Sequence, residues 1–458
     1  MRKPFSFYLA VLMTRFTIFI LRLFGFAGTH VPGHVALAIC PLFLEHIGKP
    51  KDLIMITGTN GKTTVSNLIT DFYQSQNIAA VNNSTGSNIE EGIIVAMLAG
   101  STFFGKNKVA TMVLEVDERA SYRIFPYLVP DVLVITNLFR DSYKRNAHPE
   151  FISGILEDYI PETTTLVVNG DDLISSLLKP NNKKLVFGIV PLKQEISDTQ
   201  SLIHDMKHCP VCHYPLTYQF VRHHHIGQAK CSVCGFKNLK ADLQVTRVSE
   251  NLKQAYGTYK NQRFELDLHE FSTIDIYNKL SVIGALLEMG FEFETIIKTI
   301  NTLNIVETRY QHIHVNNKDI ILMLAKDQNP IAVSRVFEQV THDHHDNIGI
   351  LLINENHDNH REIENMAWYY DTDFERLNHP NVKQIVEGGY RYHDFIVRAK
   401  MANIDASVID GAADEFKAAE LVDFERVDRV YVLYGTKNIK EANQVKTRLI
   451  QKASEVEA

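Results

Sequence analysis

The sequence predicts an α/β protein with a central phosphate-loop domain, an inserted four-cysteine ribbon and a C-terminal α/β domain. Three observations predict it. From residue 50 onward, short runs rich in β-branched residues alternate with segments whose apolar residues recur at helical spacing. The stretch "MITGTNGKTTVSNLI", residues 55–69, sets a glycine-rich turn between one such run and one such segment. Two C-x-x-C pairs, Cys209/Cys212 and Cys231/Cys234, interrupt the alternation.

The chain opens on "FSFYLAVLMTRFTIFILRLFGFAG", residues 5–28, which is long and apolar enough to raise a membrane span. Arg15 and Arg22 interrupt it. Each would cost roughly 2.5–3.5 kcal/mol at a bilayer centre, and a spacing of seven puts both on one face of a helix. The expectation is a packed or interfacial amphipathic helix within an N-terminal segment, 1–46, with an uncleaved signal anchor as the alternative. Cys40 reads as a buried or interfacial thiol.

Leu53 to Ile56 forms a short apolar strand, and Val65, Leu68, Ile69 and Phe72 mark one face of the helix that begins at Lys62. A strand entering a helix through a glycine-rich turn gathers free backbone N–H groups and the positive end of the helix dipole at one point. Gly58 and Gly61 permit the tight turn, Lys62 is spaced to reach the β- and γ-phosphates of a nucleotide, and Thr63 offers a hydroxyl to Mg2+. Ile56 stands where the pattern G-x-x-x-x-G-K-[ST] has glycine, so the loop is a variant.

Further strands are expected at 109–116, 132–136, 165–168 and 184–187. Several are near-continuous apolar runs, as in a parallel sheet covered on both faces. Polar sets follow three of them: Glu115, Asp117 and Glu118; Asn137, Arg140 and Asp141; Asn169, Asp171 and Asp172. Ligands of such sheets sit beyond the carboxyl ends of the strands, so the three sets point to a shared crevice. Glu115 is the candidate second contact for Mg2+, which favours one or two carboxylates plus phosphate oxygens.

The two cysteine pairs are separated by 18 residues, a spacing that closes a tetrahedral Zn2+ site. Four thiolates leave no open position, so the ribbon, about 205–240, is expected to be structural. The run His223-His224-His225 between the pairs is expected as a solvated loop. Residues 277–300 read as a helix, a glycine break and a second helix, which completes a central domain of 47–304. Apolar runs at "DIILMLA", "NIGILLIN", "VKQIVEGG" and "RVYVLYG" then define a second α/β domain, 305–458. Within it, "DNHREIENMAWYYDTDFERL" is dense in carboxylates and holds the only Trp.

With 45% hydrophobic and 22% charged residues, the chain has the composition of a soluble globular protein of two or three domains. A net charge of −7 argues against a nucleic-acid partner. Paired cysteines of metal-binding type suit a reducing, cytoplasmic compartment.

In these motifs the chain resembles the Mur ligase family over nearly its whole length, within it the amidating branch. "GTNGKTT" (58–64) is similar to the family's phosphate loop, which extends the ATP-binding set to Thr59, Asn60 and Thr64. "HVPG" (31–34), "NNSTGSNI" (82–89), "LEVDE" (114–118), "TNLFRD" (136–141), "NGDD" (169–172) and "AWYYDTDFE" (367–375) are similar to its ordered motifs.

The resemblance implies ATP-dependent amidation of the D-glutamate α-carboxylate in the lipid II stem peptide, through an acyl phosphate. Ammonia would come from a class I glutamine amidotransferase partner, GatD-like. It implies that Lys62 and Glu115 serve catalysis, that Thr63 and Glu115 serve Mg2+, and that Asn278 and Arg309 contact ATP. It puts Asn365 at the position of a catalytic Asp, with Asp358, Glu362 and Glu364 as substitutes. A lipid-linked substrate would give the apolar N-terminus a purpose at the inner face of the membrane. Two other readings stand beside it: a Mur-type ligase acting on another cell-wall precursor, and a divergent regulatory paralogue without catalysis.

Overall fold

The computed structural model describes residues 3–26, 28–84, 86–140, 148–192, 195–197, 201–268, 272–303, 310–325, 329–341, 343, 345–353, 366–435 and 438–456. They form two compact units, the first Met1–Phe139, His148–Thr199 and Asp205–Ile305, the second Arg140–Ala147, Gln200–His204 and Val306–Ala458.

Eleven strands belong to the first unit: β1 (Asp52–Thr57), β2 (Ala80–Asn82), β3 (Thr111–Glu115), β4 (Val132–Ile135), β5 (Thr165–Asn169), β6 (Lys184–Ile189), β7 (Thr217–His223), β8 (Ile226–Lys230), β9 (Leu243–Val248), β10 (Gln254–Tyr259) and β11 (Gln262–Asp267). Nine of them make one sheet in the order β11-β10-β9-β6-β5-β4-β1-β3-β2. From β2 to β9 every pairing is parallel, as the apolar runs led one to expect. The sheet as a whole is mixed, because β9, β10 and β11 continue it as an antiparallel meander. These three strands were missed because their burial alternates, half facing solvent, so no continuous apolar run announces them.

The helix Lys62–Ser75 follows β1 and buries Val65, Leu68, Ile69 and Phe72, the face expected of it. Helices Thr273–Glu288 and Phe293–Thr302 are separated at Gly290, which takes a left-handed φ of 87°.

The N-terminal helix runs Phe5–Leu23 and stops short of residue 28, at a turn where Gly25 has φ 76°. Phe7, Ala10 and Val11 enter the same core as Met55 of β1 and Ile93 and Met97 of the helix Glu90–Ala99. Arg15 and Arg22 share a side but have different surroundings. Arg15 Nη2 donates to Leu98 O (3.0 Å), Ser101 O (3.2 Å) and Thr102 O (2.9 Å), satisfying carbonyls at the negative end of Glu90–Ala99. Arg22 is exposed, and Cys40 is buried as expected.

β7 and β8 pair as a separate antiparallel hairpin. The solvated loop expected at His223-His224-His225 is corrected here. β7 runs through His223, and His224 and His225 are only 2% and 0% exposed. The hairpin folds back on the sheet, and the two rings pack on Phe139 with centroids 6.0 and 4.9 Å away.

The second unit holds β12 (Tyr310–Val315), β13 (Lys318–Leu324), β14 (Ile348–Ile353), β15 (Val382–Gly388), β16 (Ile409–Ala412) and β17 (Arg429–Tyr434). Their order is β12-β13-β17-β14-β15-β16, with only the β12–β13 pairing antiparallel. The four apolar runs became β13, β14, β15 and β17. The two edge strands, β12 ("YQHIHV") and β16 ("IDGA"), were not legible, being polar or short, as edges commonly are. Apolar clusters cover both faces of this sheet, and Trp368 is buried edge-on against Tyr369 at 4.4 Å.

Candidate active site

The loop after β1 turns at Gly58 (φ 125°) and Gly61 (φ 89°), conformations that residues with a Cβ rarely adopt. Space demands glycine as well. A Cβ at Gly58 would lie 2.2 Å from Thr136 Oγ1, and one at Gly61 would lie 2.5 Å from Asn278 Oδ1. That second distance also locates Asn278, which the helix Thr273–Glu288 presses against the loop.

Lys62 and Thr63 open the helix behind the loop. Thr63 Oγ1 donates to Glu115 Oε2 at 3.0 Å, so the two residues expected at Mg2+ adjoin although 52 positions apart. Hard oxygens beside a helix N-terminus are the donor set that Mg2+ shares with phosphate, and these residues fit it. Lys62 Nζ hydrogen-bonds Gly58 O and forms an ion pair with Glu118 Oε1 at 3.2 Å. That pair aims the ammonium along the loop.

The motif after β4 braces the turn. Asn60 N donates to Asn137 Oδ1 (3.1 Å), while Asn60 O accepts from Thr136 Oγ1 (2.6 Å) and Asn137 Nδ2 (3.1 Å). Thr59 N donates to Asn137 O (2.8 Å), and Thr59 Oγ1 accepts from Phe139 N (2.9 Å). Asn83 clasps the backbone of Glu115 from the other side, accepting its N–H at 2.7 Å and donating to its carbonyl at 3.0 Å. The loop is thus held in shape by hydrogen bonds from neighbouring elements as well as by its own glycines.

Asp171 and Asp172 depart from the expected shared crevice, for both are buried. Asp171 Oδ2 accepts from Tyr277 Oη (2.8 Å), Ile189 N (3.0 Å) and Arg222 Nη1 (3.2 Å). Arg222 also pairs with Glu195 through Nε and Nη2, the latter 2.9 Å from Oε2. Burial pushes the Asp171 carboxyl up, and Arg222 beside it pulls the other way. Asp172 caps the helix Leu173–Leu177 through the N–H groups of Ile174 and Ser175, accepts from Leu138 N at 2.8 Å, and meets His225 Nε2 at 3.2 Å. Burial would raise its pKa, but the contact with His225 and the backbone N–H of Leu138 outweigh it and hold the carboxyl low. Arg222, Tyr277, Glu195 and His225 were missed by sequence reasoning. Their partners lie tens of positions away, and no local pattern signals such pairs.

The four cysteines converge. Their sulfurs all lie within 4.8 Å of one another, with Cys209–Cys234 at 3.5 Å and Cys212–Cys231 at 3.4 Å. Sulfurs around one tetrahedral ion bound at about 2.3 Å would lie close to 3.8 Å apart. Cys209, Cys212, Cys231 and Cys234 therefore form a cluster that fits one metal ion.

In the second unit, Trp368 and Tyr369 lie on the helix Ala367–Asp371, and Tyr369 Oη donates to Glu387 Oε1 at 3.0 Å at the end of β15. Arg309, Asp358, Glu362, Glu364 and Asn365 lie outside the described residues.

An α/β ligase that works on a nucleotide phosphate is the class this fold and this loop define. Residues 56–286, just over half of the chain, match the Mur ligase middle domain, and residues 326–436 match the MurT ligase C-terminal domain. The chain belongs to the Mur ligase family. It is 28% identical to the lipid II isoglutaminyl synthase (glutamine-hydrolyzing) subunit MurT of Staphylococcus aureus (strain COL), over 85% of this chain and 86% of that one. It is 26% identical to the subunit of the same name from Streptococcus pneumoniae (strain ATCC BAA-255 / R6), over 93% of each. Among solved structures, a pseudomurein peptide ligase type C from Methanothermus fervidus shares the fold, with TM-score 0.65, 19% identity, and cover of 89% of this chain and 80% of that one.

Proposed function

We propose that this protein is the ligase subunit of a complex that amidates the D-glutamate α-carboxylate of the lipid II stem peptide to D-isoglutamine. The observation that supports this most directly is the Thr63–Glu115 contact of 3.0 Å beside Lys62, in a chain related to MurT subunits over most of its length.

A carboxylate is a poor electrophile, so the reaction begins by making one of its oxygens a leaving group. An oxygen of the substrate carboxylate attacks the γ-phosphorus of ATP, the bond to the β-phosphate oxygen breaks, and ADP departs from an acyl phosphate. Ammonia then attacks the acyl carbon, the C–O bond to phosphate breaks, and phosphate and a proton are released with the amide. Gly58, Thr59, Asn60, Gly61 and Thr64 would form the loop around the phosphates, with Thr59 and Asn60 shaping it through their bonds to Asn137 and the N-terminus of the helix Lys62–Ser75 offering its N–H groups to the anion. Lys62 would stabilise charge on the transferred phosphoryl group, Thr63 and Glu115 would hold Mg2+, and Asn278 and Arg309 would contact the nucleotide. Asn365, or one of Asp358, Glu362 and Glu364, would assist ammonia in the second unit.

Ammonia comes from a class I glutamine amidotransferase subunit of GatD type, and the reaction runs in the cytoplasm at the inner face of the membrane. With that partner present, ADP release should require lipid II and glutamine together, and mass spectrometry should show one carboxyl converted to carboxamide. Absence of lipid II-stimulated ADP release, with ATP hydrolysis on another precursor, would transfer the activity to that precursor.

The four-cysteine cluster is proposed to hold Zn2+ in a structural role. Freshly purified protein should contain about one equivalent of zinc, and Cys209→Ser with Cys231→Ser should remove it. Less than about half an equivalent would contradict the assignment.

A further inference from the structure

Phe5, Leu9, Leu12, Phe16, Phe19 and Leu23 follow one another at alternating spacings of four and three, so they form one stripe along the N-terminal helix. All six are exposed, Phe16 to 56% and Phe19 to 62%. The opposite face carries Phe7, Ala10, Val11 and Thr14 and is buried in the first unit. The helix is thus apolar on both faces, and only one of them is covered.

Length and hydropathy alone would let this helix cross a bilayer. Its setting opposes that. A span would withdraw Phe7 and Val11 from the core and break the contacts of Arg15 with Leu98, Ser101 and Thr102.

Along the N-terminal segment itself the charge has one sign, although Glu45 of the short helix Phe43–His46, which packs on Phe7, is exposed nearby. No Asp or Glu precedes Glu45, whereas Arg2, Lys3, Arg15 and Arg22 do. Lys3 Nζ donates to Gly105 O at 3.2 Å, which joins the start of the helix to a loop where Phe103, Phe104, Lys106 and Lys108 are exposed. Protein interfaces are enriched in Tyr, Trp, Phe, Met and Arg but depleted in Lys, so it is the lysines Lys3, Lys106 and Lys108 beside the stripe that set it apart from one. Phenylalanine and leucine bordered by basic residues are what a helix lying in a lipid interface presents.

We propose that this stripe is a docking surface for an anionic bilayer, on which the helix lies parallel to the membrane along about 28 Å. The surface deepens the lipid II reading, on which its purpose rests, by naming the part of the chain that meets the lipid. Phenylalanine side chains enter the acyl boundary, and the exposed Arg22, Lys106 and Lys108 meet lipid phosphates.

Flotation of the full-length protein with lipid vesicles tests this, without lipid II, ATP or a partner subunit. At low salt the protein should float with vesicles of phosphatidylglycerol and phosphatidylethanolamine, and far less with vesicles of phosphatidylcholine alone. The double variant Phe16→Glu/Phe19→Glu should lower the bound fraction by about tenfold or more while leaving solution ATP hydrolysis unchanged. Failure of the wild-type protein to float with anionic vesicles overturns the proposal, as does equal flotation of the variant. A wild-type dimer that the variant converts to monomer overturns it too, assigning the stripe to a second copy. Because the vesicles contain no substrate, failure here leaves the amidation reading standing, and failed amidation leaves this surface standing.

Discussion

Lys62→Ala should lower lipid II-dependent ADP release by about 10²–10³-fold, with little change in thermal stability. The side chain reaches back over the loop to Gly58 O and pairs with Glu118 at 3.2 Å, and on the proposed reading its ammonium would meet the negative charge of the transferred phosphoryl group. In a preorganised site a fixed cation contributes more than in water, because no solvent must reorient during transfer. The same placement says what Lys62→Arg should do. A guanidinium keeps the charge but is planar and bulkier, so most of the loss should persist. A variant at either substitution with more than about a third of wild-type turnover would remove Lys62 from the chemistry and weaken the ligase reading. The readout is initial-rate ADP release, with melting temperature recorded in parallel to separate lost chemistry from lost fold.

Arg222→Met should destabilise the first unit by roughly 3–5 kcal/mol, measured as a fall in the urea midpoint at near-constant slope. Arg222 and Asp171 meet with side chains only 2% and 3% exposed, and Glu195 completes the pair. Removing the guanidinium leaves a carboxylate sealed from water with no counter-charge at that contact. The Asp171 pKa, which burial already pushes up, would then rise further without the guanidinium that pulls it down. The sign of the pH dependence follows. A carboxyl whose folded pKa lies above its unfolded value of about 3.9 loses stability as pH rises above that value. The deficit of Arg222→Met should therefore be smaller near pH 5 than near pH 7.5. A loss under about 1 kcal/mol at neutral pH would show that the cluster is not the brace its burial implies.

The cluster also explains why the inserted hairpin matters to the loop. Its strand β7 supplies Arg222 to Asp171, and the turn after it supplies His225 to Asp172. Asp172 in turn holds Leu138 N, one residue from the Asn137 that grips Asn60. A chain of short contacts thus runs from the four-cysteine insertion to the phosphate loop, each link between residues far apart in sequence.

What the sequence determined by itself was local. The turn at 58–63, its strand and its helix, the paired cysteines and the four inner strands of the second unit were all legible, because each is set by glycine, by spacing or by a continuous apolar run. The role of Asp171 and Asp172 was not. As sequence they are two carboxylates past a strand, equally suited to a ligand crevice, and only burial against Arg222 and His225 makes them braces. The histidine run was lost for the same reason, since polarity in sequence argues for water and says nothing of a hairpin folded back on a sheet. So too with the N-terminal helix, whose apolar residues run all round it. Tertiary packing alone decided which face would be buried, because hydrophobic burial depends on what lies opposite and a side chain cannot carry that information alone.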